Sequence, residues 1–459
     1  MHIQFQGAAQ TVTGSMHVVQ VGSKKILLDC GLVQGKRDEA RLANSTFPFD
    51  IASIDAIVLS HAHIDHSGNL PGIVKQGYTG PIFSTAATRD LCSIMLADSA
   101  MLQDMDVKHL RKHYRDVPDP LYTIDDVART MSRFHTVPYH QEFSVVEGIS
   151  CKFYDAGHIL GSAVCYLTLT ENGRKVVLGF TGDLGRHHQP IIRDPENIPA
   201  VDYLISESTY GDRIHAEHED TLVKLARVIT EVQQRGGRLI VPAFSVGRTQ
   251  DLLYMLHELT HTKKIKPIPV YVDSPLAINA TVIYRMHTEC FDSETRALIL
   301  QDPFALGFDD VKYTPSVDES KALNDVVGSC MIIAASGMCE GGRILHHLVH
   351  GIGDTKNTVM IVGFQAPFTL GRRIVEHVPV VRIYGEEYTV RAKVETLNGM
   401  SAHADQAEII QFITALEAQP KQIFLVHGDE DRQKPLMEVL QTKGYAQVSA
   451  PTKGMIVEL

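Results

Sequence analysis

No apolar run in this sequence approaches the roughly 18 to 20 residues that a membrane span requires, and no basic, hydrophobic targeting segment stands at its start. The chain opens directly in strand-like sequence, His2-Ile-Gln-Phe-Gln6, so a soluble, cytoplasmic protein with no membrane partner is expected. Cysteine is sparse and unpatterned. Seven residues, an odd number with no Cys-x-x-Cys pair, argue against a disulfide framework. Cys30, although it adjoins Asp29, reads as a small buried hydrophobe rather than a ligand. Internal repeats, low-complexity tracts and long Pro/Ser linkers are missing as well. Instead, strand and helix signals alternate almost throughout, which favours α/β layering. Positive charge is short: 43 Lys and Arg against 54 Asp and Glu leave a formal net charge of −11. An anionic partner would therefore be held by local features or bound metal ions, not by bulk charge. The length of 459 residues suggests two or three domains, and 44% hydrophobic residues are ample for their cores.

Histidine is what the chain does have. The segment His61-Ala-His63-Ile-Asp65-His66 follows the apolar run Asp55-Ala-Ile-Val-Leu-Ser60, as if a strand delivered its C-terminal loop to a site. Imidazole and carboxylate are the ligands zinc accepts where it keeps an open position for water. Four donors so close together cannot all converge on one ion, because neighbouring side chains of a turn point different ways. Two metals are implied, a few ångströms apart, with His61 and His63 on one and Asp65 and His66 on the other. That pairing, with ions roughly 3.5 to 4 Å apart, suits phosphate ester hydrolysis. A chance cluster on a surface loop is the weaker reading, since the alternation and the Asp recur as a ligand set.

A dinuclear centre needs further ligands, and three other strand ends offer them. Cys151-Lys-Phe-Tyr-Asp155 runs into Ala-Gly-His158, Lys175-Val-Val-Leu-Gly-Phe180 into Thr-Gly-Asp183, and Gln422-Ile-Phe-Leu-Val426 into His427-Gly428. Glycine beside each ligand permits the tight turns and close backbone approach of a crowded site. Any one of these alone would read as a core or turn residue. Together with the first segment they read as one site.

The order Leu28-Asp29-Cys30-Gly31, His61 to His66, Gly157-His158 and Gly182-Asp183 resembles the motif pattern of the metallo-β-lactamase superfamily. Three later segments, Ser206-Glu207-Ser208-Thr209-Tyr210-Gly211, Ser401-Ala402-His403-Ala404-Asp405 and Val426-His427-Gly428, resemble the further motifs of the β-CASP nucleases. His427 stands where the DNA-processing branch carries an aliphatic residue, which places the resemblance with the RNA-processing branch, near the short prokaryotic relatives of the pre-mRNA 3′-end cleavage nuclease. The resemblance implies an α/β fold: a metallo-β-lactamase αββα sandwich interrupted by a β-CASP α/β domain. It implies two Zn2+ per chain, the first held by His61, His63 and His158, the second by Asp65, His66 and His427, with Asp183 bridging. Asp65 and Asp183 would thereby serve the chemistry, His403 would protonate the leaving oxygen, and Glu207 would orient His403. Asp29 would order the His61–His66 loop.

On this reading residues 1–205 form the first part of the metallo-β-lactamase domain, 206–395 the insertion and 396–459 the C-terminal part, with the substrate site expected where the two domains meet. Candidate phosphate-binding groups lie at glycine-bordered loops: Arg248 in Ser245-Val-Gly-Arg-Thr249, Ser336 in Ser336-Gly-Met338, and Arg372, with Arg186, Arg343, Arg373 and the Asp273-Ser-Pro275 loop as further options. The expected activity is zinc-dependent hydrolysis of single-stranded RNA, endonucleolytic, 5′ exonucleolytic or both. A small-molecule hydrolase of thioesterase or lactonase type would use the same centre but needs neither a large insertion nor Glu207 and His403. A non-catalytic RNA-binding scaffold is disfavoured because every ligand position is filled. Nothing resembling a KH-type extension precedes the first strand, and the chain ends soon after His427 at Leu459. RNA choice is thus expected from the insertion's surface or from a partner. The assembly state, a homodimer included, is left open.

Overall fold

The computed structural model describes residues 1–459 except 36, 113, 115, 216–217, 303–305, 308–310, 364 and 366–367. The chain divides into two compact units. One comprises Met1–His187, Asp194–Ile214 and His403–Leu459, the other His188–Arg193 and His215–Ala402.

The first unit is built on two seven-stranded sheets. Strands Lys24–Leu28, Ala56–Val58 and Ile82–Ser84 lie parallel and side by side in one; Arg174–Phe180, Tyr203–Glu207 and Gln422–Val426 do so in the other. Their apolar runs are continuous because both faces are covered. On the inner faces, Ile3, Phe5, Ile26, Leu28 and Val58 of the first sheet meet Phe153, Leu167, Leu178, Phe180 and Phe424 of the second in one buried cluster. The outer face of the second sheet, through Leu204, Ile423 and Leu425, packs on Ile409 and Phe412 of helix Gln406–Thr414 and on Leu436 and Leu440 of helix Glu430–Thr442. Beside the first sheet, helices Leu70–Lys75 and Ala86–Leu110 pack on helix Ile124–Met131, and Ala86–Leu110 also meets the edge strand Phe134–Thr136. This is the αββα layering expected. Asp126, which could pass for a solvated acid, is buried instead and caps the last of those helices by accepting from Thr123 N and Oγ1 at 2.8 and 2.9 Å.

The second unit holds a six-stranded sheet in the order Lys312–Tyr313, Val270–Asp273, Cys330–Ala334, Arg238–Pro242, Thr358–Ile361, Lys393–Thr396. Every neighbouring pair in it is parallel, so each connection must cross over, and helices such as Arg248–His261, Pro275–Met286 and Arg343–Gly351 supply the crossovers. The arrangement is the inserted α/β domain anticipated. Its limits differ from the 206 and 395 read from sequence. Strand Tyr203–Glu207 stays paired with Gln422–Val426 as far as Glu207 opposite Val426, so this segment continues in the first unit to Ile214, and the return falls at His403.

Candidate metal centre

The ligand-bearing segments all leave the C-terminal ends of strands in the first unit. Beyond Val58 the chain stays extended through His61 and His63, then closes one helical turn, Ile64–Ser67. The His61 ring thereby lies beside both His63 and His66, centroids 5.0 and 4.1 Å away, while Asp65 reaches His427. Packing here is tight enough that a Cβ on Gly31 would run into the carbonyl of Asp65. Gly182, at φ +54°, likewise has no room for one against Ser60.

Two sets of donors result. His61 Nε2 and His158 Nε2 lie 3.2 and 3.1 Å from His63 Nδ1, and both face Asp183 Oδ2 at 3.4 and 3.5 Å. His66 Nε2 lies 3.2 Å from His427 Nε2 and 3.3 Å from Asp183 Oδ1, while Asp65 Oδ2 lies 3.4 Å from His427. Asp183 faces both sets. Its Oδ1 is buried without a hydrogen-bond partner, and several imidazole nitrogens converge closely with few protons to share. Such a convergence of lone pairs and one orphaned carboxylate oxygen fits a divalent cation in each set.

The far sides of the rings are held. His66 Nδ1 lies 2.7 Å from Asp29 Oδ2, which also accepts from Ser15 and Ser60 hydroxyls. His61 Nδ1 meets Ser60 Oγ at 3.1 Å and His427 Nδ1 meets Thr209 Oγ1 at 3.0 Å. These contacts fix the rings with the opposite nitrogens of His61 and His66 toward the centre, whereas His427 Nδ1 also lies 3.3 Å from Asp183 Oδ1. Burial and neighbouring imidazoles push His61 well below its ordinary pKa despite Asp183, and burial brings His63 down to about 4, so their lone pairs stay available. For His66, burial acts downward but Asp183 and Asp29 outweigh it and raise the ring well above its usual value. Burial would raise Asp183, but His427, His66, His403 and His61 hold it well below the carboxylate range.

His403 stands at the rim of the same cluster, its side chain 22% exposed, with Nδ1 3.3 Å from Glu207 Oε1 and 3.8 Å from Asp183 Oδ2. Glu207 is fully buried and fixed by Leu184 N at 2.6 Å and Thr209 N at 3.3 Å. Burial alone would lower His403; the charges of Glu207 and Asp183 reverse this and hold it at about 9. A ring kept cationic beside a carboxylate can donate a proton at neutral pH.

The phosphate candidates Arg248, Ser336 and Arg372 lie in the second unit, each with partners of its own. Arg248 is 7% exposed, pairs with Asp251 at 3.0 Å and donates to the Met400 carbonyl. Ser336 Oγ accepts from Glu340 N at 3.0 Å. Arg372 is exposed and pairs with Glu376 one turn on. Arg343 donates to Asp273 at 2.7 Å, which His347, Ser320 and Thr314 also bind, so the Asp273 loop is a closed network. Arg186 is buried near Glu408, 3.7 Å away. Sequence reasoning missed His17. It is wholly buried between the rings of Phe5 and Phe180, with neither nitrogen hydrogen-bonded. Its neighbours Met16 and Val18 on an apolar strand were the one signal of its burial.

Comparison with known proteins matches three family descriptions along the chain. They are a metallo-beta-lactamase superfamily domain over residues 18–181, a Beta-Casp domain over 249–374 and a Zn-dependent metallo-hydrolase RNA specificity domain over 387–451. Ribonuclease TTHA0252 of Thermus thermophilus is 37% identical over 441 residues, spanning 95% of both chains. Transcription termination factor FttA of Methanocaldococcus jannaschii is 32% identical, over 94% of this chain and 67% of its own. An RNase J-like protein of the same organism is 29% identical over 93% and 92%. Among solved structures, a protein of unknown function from Enterococcus faecalis V583 aligns over 100% of this chain and 99% of its own with a TM-score of 0.59 at 13% identity, a likeness of fold.

Proposed function

Since this chain belongs to the β-CASP family of metal-dependent nucleases built on the metallo-β-lactamase fold, we propose that it hydrolyses phosphodiester bonds of single-stranded RNA at a two-zinc centre. His61, His63 and His158 would hold one ion, Asp65, His66 and His427 the other, and Asp183 would bridge them. When bound, two zinc ions supply Lewis acidity at the phosphoryl group and lower the pKa of an attacking water. The residues of the chain do the rest. Asp29 keeps the His66 ring turned toward the centre, Ser60 does the same for His61, and Thr209 fixes the His427 ring. Glu207 takes the Nδ1 side of His403, which leaves the opposite nitrogen to hand its proton to the departing oxygen. The cleaved RNA thereby leaves as an alcohol rather than an alkoxide.

The observation that carries this reading is the His403–Glu207 pair beside Asp183. It adds a proton donor to a set of seven ligand candidates, and an alkoxide leaving group needs one where a thiolate does not. RNA as substrate follows from the similarity to ribonucleases and to an RNA specificity domain. Endonuclease action, 5′ exonuclease action or both are compatible with the centre. Among the described residues no helix is long and apolar enough to cross a membrane. The test is a digestion series by zinc-loaded protein on one RNA carrying different 5′ ends, read for internal products against mononucleotides. Rapid thioester hydrolysis with no cleavage of RNA would reject the proposal.

A further inference from the structure

The N-terminal edge of the second unit's parallel sheet has no part in the chemistry above, yet it carries a polar pocket of about 300 Å3. Arg238 opens its strand at this edge. One guanidinium nitrogen, Nη2, donates to the carbonyls of Asn324 and Val326 at 2.6 and 3.2 Å, which anchors the group, while Nε and Nη1 have no hydrogen-bond partner among the described residues. Lys356 and His350 also line the pocket, and neither side chain forms a hydrogen bond or ion pair there. Among the described lining residues the single carboxylate is Asp354, engaged with the Lys356 amide at 2.9 Å. Buried Asn357 fixes the floor, accepting from Arg238 N at 2.7 Å and donating to Gly351 O at 3.0 Å. In a chain of net charge −11, a built concavity dominated by cations is a departure that calls for an anion.

Two features narrow the anion. The two guanidinium nitrogens left over, Nε and Nη1, can each give one charge-assisted hydrogen bond, which suits an anion with several acceptor oxygens such as phosphate. Asn324 Oδ1, in the same wall, is buried with no donor, and a buried amide oxygen left so favours a ligand that brings a hydroxyl or amine. Phosphate with an adjacent hydroxyl is the chemistry of a ribonucleotide. The volume falls at the lower end of small-molecule sites. We propose that this pocket binds one ribonucleotide unit, its phosphate on Arg238 and Lys356 and a hydroxyl on Asn324. The unit comes either from free nucleotide or from the substrate strand; the second source rests on the ribonuclease reading, the first does not.

The experiment is calorimetric titration of AMP into the zinc-loaded full chain, wild type against Lys356→Glu and Arg238→Gln. Phosphates can also reach the metal centre, so the reading is the difference between proteins. Lys356 is exposed and unpaired, so its variant leaves packing intact even if Arg238→Gln melts early. At least tenfold weaker AMP binding in Lys356→Glu, with zinc content unchanged, is expected, and dAMP should bind more weakly than AMP to wild type. Identical AMP isotherms for wild type and Lys356→Glu would overturn the pocket; equal AMP and dAMP affinity would overturn the ribose contact. A higher KM for long but not short RNA in Lys356→Glu would assign the pocket to the substrate strand, and unchanged RNA kinetics with weakened AMP binding would assign it to free nucleotide. Absence of all RNA cleavage by wild type would count against the ribonuclease reading alone, because the AMP titration still decides the pocket.

Discussion

Asp29 and His66, 37 residues apart in sequence, meet as a fully buried pair with Oδ2 2.7 Å from Nδ1. The carboxylate reaches this position from a left-handed backbone, φ +58°, and also accepts from Ser60 N at 2.8 Å. It thus ties the strand that ends at Leu28 to both ends of the His61–His66 loop. Replacing Asp29 by Asn should keep the fold but loosen the ring, weakening metal affinity or activity by about 10 to 100-fold. Competition with a chelator of known affinity measures this; unchanged affinity would show that the loop holds itself.

Asp183 faces both donor sets, so Asp183→Ala should lose activity together with tight occupancy of both ions. Elemental analysis of wild type should give about two zinc per chain, and of the variant far less. Wild type purified without any transition metal would contradict the two-ion reading, whereas iron or manganese would only change the ion, since His and Asp ligands accept those too.

His403→Ala should retain zinc and RNA affinity but cleave roughly a hundredfold to ten-thousandfold more slowly, the usual share of general acid catalysis. A substrate with a phenolate-type leaving group should recover most of the rate. Glu207→Gln should show a smaller defect in the same direction. Zinc loss from the His403 variant would instead make that residue a ligand and exchange its role with His427.

His17 predicts a pH effect on stability. Burial, with the charges of His66 and His427, lowers its pKa from 6.5 to about 3. Between those values the unfolded chain binds the extra proton, so the stability this group supports is full above pH 6.5 and declines as pH falls toward 3. At pH 5 the decline is on the order of 2 kcal/mol. His17→Phe, which keeps a ring between Phe5 and Phe180, should flatten the loss of Tm between pH 7 and 5. An unchanged acid slope in melting curves would refute the assignment.

Arg248 and Arg372 should part company on substitution. Arg248→Ala strands the buried Asp251 carboxylate and should cost about 3 to 5 kcal/mol, read as a large drop in Tm. Arg372→Ala removes an exposed pair and should change stability by no more than about 1 kcal/mol. Equal melting temperatures for the two variants would mean that Arg248 is free for ligand.

The sequence by itself determined the α/β class, the family and the candidate ligands, because the His61–His66 cluster and the glycine-flanked His158, Asp183 and His427 each follow an apolar strand, so the chemistry is written locally. Tertiary structure decided what depends on partners far apart in the chain. Arg248 reads as a phosphate group in its loop, but its charge is taken by Asp251 and by the Met400 carbonyl, 152 residues on. The limits of the insertion follow from parallel pairing between Tyr203–Glu207 and Gln422–Val426, and pairing at such separation leaves no local mark. His17 looks like any polar residue on a strand until two sheets close over it. Burial and charge neutralisation are sums over neighbours in space, and only the folded chain brings those neighbours together.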